Sequence, residues 1–254
     1  MKNTLRQITV IVTTLVMLAV NYLSTALPLN GRTPGEISDS FKVYFVPAGY
    51  VFSIWGVIYL GMIAFSIYQA LPSQRQNPRL QATGWWIALG NLANAAWIFM
   101  WHYGYYLLSV VVMLILLGSL IVTYLKLRQE RLSVTPAEQW AVRLPFSIYL
   151  GWITVATVAN VTTLLDYLKW NRFGIAPEIW MGVMLVAVLV ITGLMIFTRR
   201  DIAYTLVILW ALAGIGVKQG AVPVVAIPAW ITLGLVALAL VIALAWRPRA
   251  QAIL

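Results

Sequence analysis

The sequence predicts an all-α fold, a polytopic membrane helical bundle of about eight transmembrane helices. Three observations carry the prediction. Of 254 residues, 62% are hydrophobic and only 9% are charged, against roughly 25% charged in soluble domains. Apolar runs recur along the whole chain, each close to the roughly 20 residues that a spanning helix needs. The cations fall between those runs rather than in one patch. The net charge of +10 therefore reads as membrane topology, and no nucleic-acid partner is expected.

Eight runs are counted, at 5–27, 48–71, 83–101, 106–127, 140–165, 179–198, 202–217 and 224–246. The first follows Lys2 and Arg6. A cleavable signal peptide is the competing reading there, with Ser24-Thr25-Ala26 as its small-residue site, but the run is long for such a segment. The second opens on Pro47-Ala48-Gly49-Tyr50 and is rich in aromatics. The third carries Asn91 and Asn94, and the fifth carries Thr154, Thr157 and Asn160. The seventh is the shortest. The eighth holds Pro228 near its start, which a buried or first-turn position tolerates. Placing alternate loops on opposite sides puts Lys2, Arg6, Arg75, Arg79, Lys126, Arg128, Arg131, Arg143, Arg199, Arg200, Arg247 and Arg249 on one side. Arg32, Lys42, Lys169, Arg172 and Lys218 fall on the other. The bias is twelve to five, so an integral, multi-pass protein with both termini cytoplasmic is expected. Most connections are short and imply antiparallel neighbours. The exception is the first loop, 28–46, which holds Glu36 and Asp39 and has the length of a lid or a tether.

Catalytic chemistry is poorly supplied. Cysteine is absent and the single histidine, His102, cannot build a metal site alone. It is read as an interfacial residue within Trp101-His102-Tyr103-Gly104-Tyr105, part of an aromatic belt. The seven acids all fall in loops or at helix ends, which speaks against an ion or proton pathway. No catalytic or metal-binding residue is assigned, and a non-enzymatic role is expected. The buried amides are milder. Asn91 and Asn94 share a helix face, and each must bond either another helix or a ligand. Tryptophans near the run ends anchor helices at the interfaces. Trp55, Trp97 and Trp152 lie farther inside, where they either pack the core or wall a cavity suited to a planar aromatic ligand. Two segments, Leu120–Tyr124–Lys126 and Leu165–Tyr167–Lys169, fit the loose sterol-contact pattern, which apolar helices ending in Tyr and Lys also produce by chance.

These residues together resemble the TspO/MBR family, the tryptophan-rich sensory proteins that include the mitochondrial translocator protein. Pro47, Phe52, Trp55 and Tyr59 stand in register with the family's Pro-Pro-x-Trp-x-Phe-Gly-x-x-Trp-x-x-x-Tyr stretch. Ala48 replaces its second Pro, Tyr50 a Trp and Ser53 the Gly. Asn94-Ala95-Ala96-Trp97 is similar to the family's Asn-x-x-Trp, and Trp152 and Asn160 match a Trp and an Asn of its fifth helix. The resemblance covers roughly residues 5–170.

What the resemblance implies is a TspO-like five-helix ligand-binding bundle over 1–172, with three additional transmembrane helices over 173–254. Its pocket would be lined by Phe52, Trp55, Asn94, Trp97, Trp152, Ala156 and Asn160 and closed by the first loop. Such proteins bind porphyrins, sterols and synthetic aromatic ligands, and often form homodimers. Gly84 and Ala88 supply one small-xxx-small step for close helix packing. No cofactor is required, and a bound porphyrin or lipid is the expected occupant. The partners expected are membrane lipids and a hydrophobic small molecule, bound for sensing or transport. Two other readings stay open. One is a secondary transporter of a small solute, for which Lys218 beside the Gly216–Gly220 break is the pivotal residue. The other is a membrane enzyme degrading a bound tetrapyrrole.

Overall fold

The computed structural model describes residues 2–27, 29–129 and 133–246. Arg131, Arg247 and Arg249 of the charge tally lie outside the described residues, as do Pro28 and Glu130. Ten α-helices are found among the described residues, with no strand. Eight are long: α1 (Lys2–Ala26), α3 (Ile54–Ala70), α4 (Pro78–His102), α5 (Tyr106–Gln129), α7 (Leu144–Tyr167), α8 (Pro177–Leu194), α9 (Ile202–Lys218) and α10 (Pro223–Ala245). Two are short: α2 (Pro34–Asp39) in the first loop and the single turn α6 (Pro136–Glu138).

Six of these elements are long and apolar enough to cross a membrane by length and composition. The two that miss the criterion do so for different reasons. At 1.5 Å per residue, the 17 residues of α9 span about 25 Å, short of a roughly 30 Å hydrocarbon core. The 25-residue α4 is long enough but diluted by amides. Those amides face protein, since α4 lies between α1 and α5 and Asn91 Nδ2 donates to Thr14 Oγ1 of α1 at 2.9 Å.

The chain runs up and down. Gln7 at the start of α1 donates to the Gln69 carbonyl at the end of α3, at 2.7 Å, and Arg200 reaches the Trp246 carbonyl at 3.1 Å. One end of the molecule thus gathers the start of α1, the α3–α4 and α8–α9 turns and the end of α10. Helices α1, α4, α5, α7 and α3 each pack on the next and close a ring. The remaining three attach through α9, which lies on α7, while α10 lies on α9 and α8 on α10. Gly151 makes the join possible. A Cβ there would stand 3.1 Å from both the Tyr204 carbonyl oxygen and Val207 Cβ, so α9 would have to draw back by a few tenths of an ångström. The step at Gly84 is used inside the chain in the same way, against the Arg6 side chain of α1.

The cationic end is less exposed than a charge count suggests. Arg79 is buried and pairs with Glu138 at 2.8 Å. Arg128 pairs with buried Asp201 at 2.7 Å and lies over the Tyr124 ring. Asp201 also accepts from Tyr124 at 2.7 Å and Ser147 at 2.8 Å, and caps α9 by accepting from the Tyr204 N–H. One carboxylate therefore ties α5, α7 and α9 together. Removing one partner of such a buried pair leaves an uncompensated charge, a cost of about 3–5 kcal/mol. Between α6 and α7 the backbone makes a π turn, Gln139–Arg143, just before Pro145. Proline has no N–H to give the preceding turn, so the ladder must slip near it.

Candidate ligand pocket

The first loop is an ordered structure. Thr33 caps α2: its hydroxyl accepts from the Glu36 N–H at 3.3 Å, while its own N–H donates to the Glu36 carboxylate at 2.7 Å. Pro34 follows at the first helical position, where its fixed φ suits the helix. The Thr33 N–H and hydroxyl hold the Glu36 carboxyl below the usual carboxylate range.

The rest of the loop is strapped down by the C-terminal helices. Lys218 at the end of α9 pairs with Asp39. Gln219 Nε2 donates to the Tyr44 carbonyl at 3.0 Å, and the Tyr44 hydroxyl donates to Glu178 of α8 at 2.9 Å. Holding that proton pushes the Tyr44 pKa up. The Ala48 N–H reaches the Gly214 carbonyl at 3.1 Å, and the Trp210 indole donates to the Val51 carbonyl at 3.1 Å. A Cβ at Gly214 would stand 2.1 Å from Val51 Cγ2, so only glycine lets the loop seat there. Lys218, the pivot of the transporter reading, ties the first loop to α9 here.

Under the loop lie two adjoining cavities. The outer one, about 710 Å³, is lined by Asn21 and Ser24 of α1, Pro34, Gly35 and Glu36 of α2, and Phe52, Trp55 and Tyr59 at the start of α3. Exposed Tyr22, Thr25, Ser53 and Gly56 stand at its rim. The inner one, about 40 Å³, lies toward α7. The two share Pro34, Phe52, Trp55 and Trp97 as a common wall.

Six of the seven sequence-predicted residues line the inner cavity: Phe52, Trp55, Trp97, Trp152, Ala156 and Asn160. Their rings form a cage. Phe52 and Trp55 meet Trp152 edge to face, at 5.7 and 6.2 Å between centroids, and Trp97 stacks on Trp101 at 5.5 Å. Asn94 lies elsewhere and lines neither cavity. Its Oδ1 accepts from Asn21 at 2.6 Å and its Nδ2 donates to the Tyr149 hydroxyl at 2.8 Å, so it joins α1, α4 and α7. Asn160 does both jobs: it lines the cavity while accepting from the Trp97 indole at 3.1 Å and donating to Ser109 at 2.9 Å.

Two polar atoms at the inner cavity are unsatisfied. The Trp152 indole nitrogen and the Thr163 hydroxyl are buried and have no hydrogen-bond partner among the described residues. A buried donor without an acceptor costs about 1–3 kcal/mol, and this wall holds two such polar groups. His102 departs from the expectation of an interfacial ring. It is 4% exposed, its Nδ1 donates to the Ile98 carbonyl at 2.7 Å, and Asn30 of the first loop covers its carbonyl. The loop folds over the end of α4 and turns a belt position into a buried one.

The sequence reading missed Asn21, Pro34 and Thr163. Asn21 carried a signal as an amide deep inside the first apolar run, and its Oδ1 accepts from Tyr59 at 2.8 Å at the cavity wall. Thr33-Pro34-Gly35-Glu36 carried another, since a Thr followed three residues later by Glu is the capping-box pattern. Among the described residues no group of three or more His, Asp or Glu gathers as a metal site.

Compared with family models, residues 7–242 match the model described as TSPO-like protein. The chain belongs to that family. The match runs through α8 and α9 and into α10, so the helices that strap the loop lie inside the TSPO-like region. Comparison with curated proteins and with solved structures returned no match. Family and apolar helices together make this TSPO-like chain an integral membrane protein.

Proposed function

We propose that this protein binds a hydrophobic, planar ligand of the tetrapyrrole or sterol-like class in the pocket beneath the first loop, for sensing or transport. The observation that carries the reading is the inner aromatic cage, whose Trp152 indole and Thr163 hydroxyl lack acceptors. The ligand's bulk fits the outer cavity, which falls within the roughly 300–1,000 Å³ of small-molecule sites. One edge would reach past Phe52 and Trp55 into the cage, where ring contacts are worth about 0.5–1.5 kcal/mol each. The apolar body of such a ligand suits access from the bilayer between α1 and α3. In this reading all eight long helices span and both termini face the cytoplasm, as the cation bias favours.

Tryptophan-fluorescence quenching of the detergent-solubilised chain by protoporphyrin tests the reading. Saturable quenching at micromolar ligand is expected, weakened roughly threefold to tenfold by Trp55→Phe or Trp152→Phe. Quenching that never saturates, or that ignores both substitutions, would sink the site.

A further inference from the structure

A second set of cavities lies on the far side of α7. An open groove of about 480 Å³ is bounded by Lys42, Tyr44, Asp166, Arg172 and Lys218, among others. It is continuous with a funnel of about 70 Å³, which shares Lys42, Tyr44, Asp166 and Arg172 with it and adds Trp170 and Trp180. Met184 also lines a neighbouring slot of about 170 Å³, walled mainly by Val158, Val183, Ala187, Ile191 and Ile208, with Thr154, Thr192 and Tyr204 among its lining. The series grades from charged to aromatic to mainly apolar along the seam between α7 and α8. The seam exists because α8 packs on α10 and α7 on α5 and α9.

We propose that this seam holds one anionic glycerophospholipid with a hydroxylated head group, its phosphate on Arg172 and Lys42 and an acyl chain in the slot between α7, α8 and α9. The groups left without partners select the head group. Lys218 is paired with Asp39, and Glu178 is bonded by the Tyr44 hydroxyl, which leaves Lys42 and Arg172 as the two cations open to a phosphate, with Asp166 beside them. Neither cation makes a hydrogen bond or ion pair among the described residues, and the Asp166 carboxylate is free to accept from head-group hydroxyls. Arg172 is held in place at a cost. Lys169, Arg172 and Phe173 all adopt positive φ, at 55°, 57° and 55°, a conformation that L-residues keep only when their surroundings enforce it. The enforcing contacts are visible. Trp180 donates to the Arg172 carbonyl at 3.1 Å, and Trp170 packs on Phe173 and Trp180 at 5.3 and 5.1 Å. Tryptophans at this depth suit the boundary between head groups and chains.

Native mass spectrometry of the full chain, delipidated in detergent and offered equal phosphatidylglycerol, phosphatidylethanolamine and phosphatidylcholine, tests the proposal. One phosphatidylglycerol is expected to be retained in preference to both others. Lys42→Ala with Arg172→Ala should reduce it about tenfold or more, since each surface cation contributes about fivefold. Ala187→Phe should reduce it by filling the slot while leaving both cations in place. Soluble glycerophosphate should fail to displace the lipid. Equal retention of the three lipids, preference for phosphatidylethanolamine, or unchanged retention in both variants overturns the site. Displacement by glycerophosphate overturns the acyl slot. The lipid preference is read on the unsubstituted chain, so a variant that misfolds does not protect the idea.

Discussion

Trp97 and Trp152 face the same cavity in opposite hydrogen-bonding states. The Trp97 indole donates to Asn160 at 3.1 Å, whereas the Trp152 indole is buried with no acceptor. The two substitutions to Phe should therefore part company. Trp97→Phe leaves the Asn160 side-chain oxygen with only the long 3.4 Å bond from Ser109 and costs about 1 kcal/mol, a fall of roughly 2–4 °C in apparent Tm for a chain of this size. Trp152→Phe removes a donor that bonds nothing and leaves Tm within about 1 °C while weakening protoporphyrin quenching. Thermal scans beside quenching titrations check both, and equal losses of Tm would contradict the difference drawn here.

Lys218 and Asp39 close the lid from the C-terminal side. The pair is partly exposed, so it is worth only about 0.2–1 kcal/mol and is screened by salt. Lys218→Ala is expected to speed ligand release by about 1.5- to 5-fold at low ionic strength. At molar salt, stopped-flow release from the parent chain should approach that of the variant. A release rate insensitive to both substitution and salt would show that the lid is not held this way.

Glu36 gives α2 a pH dependence. Its folded pKa lies below the ordinary carboxylate value because the Thr33 N–H and hydroxyl bond the ionised form. The stabilisation is thus fully present above the unfolded value of about 4.3 and is lost as pH falls through the folded pKa. Glu36→Gln should lower the apparent Tm slightly at pH 7, and the gap between the chains should close below about pH 4. A gap of constant size from pH 7 to pH 3 would remove Glu36 from the account.

The long helices were legible because a bilayer demands uninterrupted apolar runs, and positions 106–127 show it plainly in Tyr106–Gln129. The six cage residues were legible through their resemblance to family motifs, since Phe52, Trp55, Trp97, Trp152, Ala156 and Asn160 recur at motif spacings. Asn94 shows the limit. Its spacing put it on a face with Asn91, but Asn21 and Tyr149 lie 73 and 55 residues away, and only tertiary packing could say that they would take both ends of its amide. The cations at the α8–α9 side were counted as topology signals, yet Arg128 proves to be half of a buried pair with Asp201, 73 residues on. The loop straps were invisible for the same reason. Nothing near Asp39 or Ala48 in sequence announces Lys218 or Gly214.

The bond from the Ala48 N–H to the Gly214 carbonyl also sets an order of events during synthesis. The residues that cage a ligand are complete once α7 has been made, but the loop above them cannot seat until α9 has followed. At common translation rates the stretch from the end of α7 to Gly214 takes roughly 2–10 s to make. During that interval the nascent pocket stands uncovered, and a ligand already present in the bilayer would meet an open cup before it ever met a closed one.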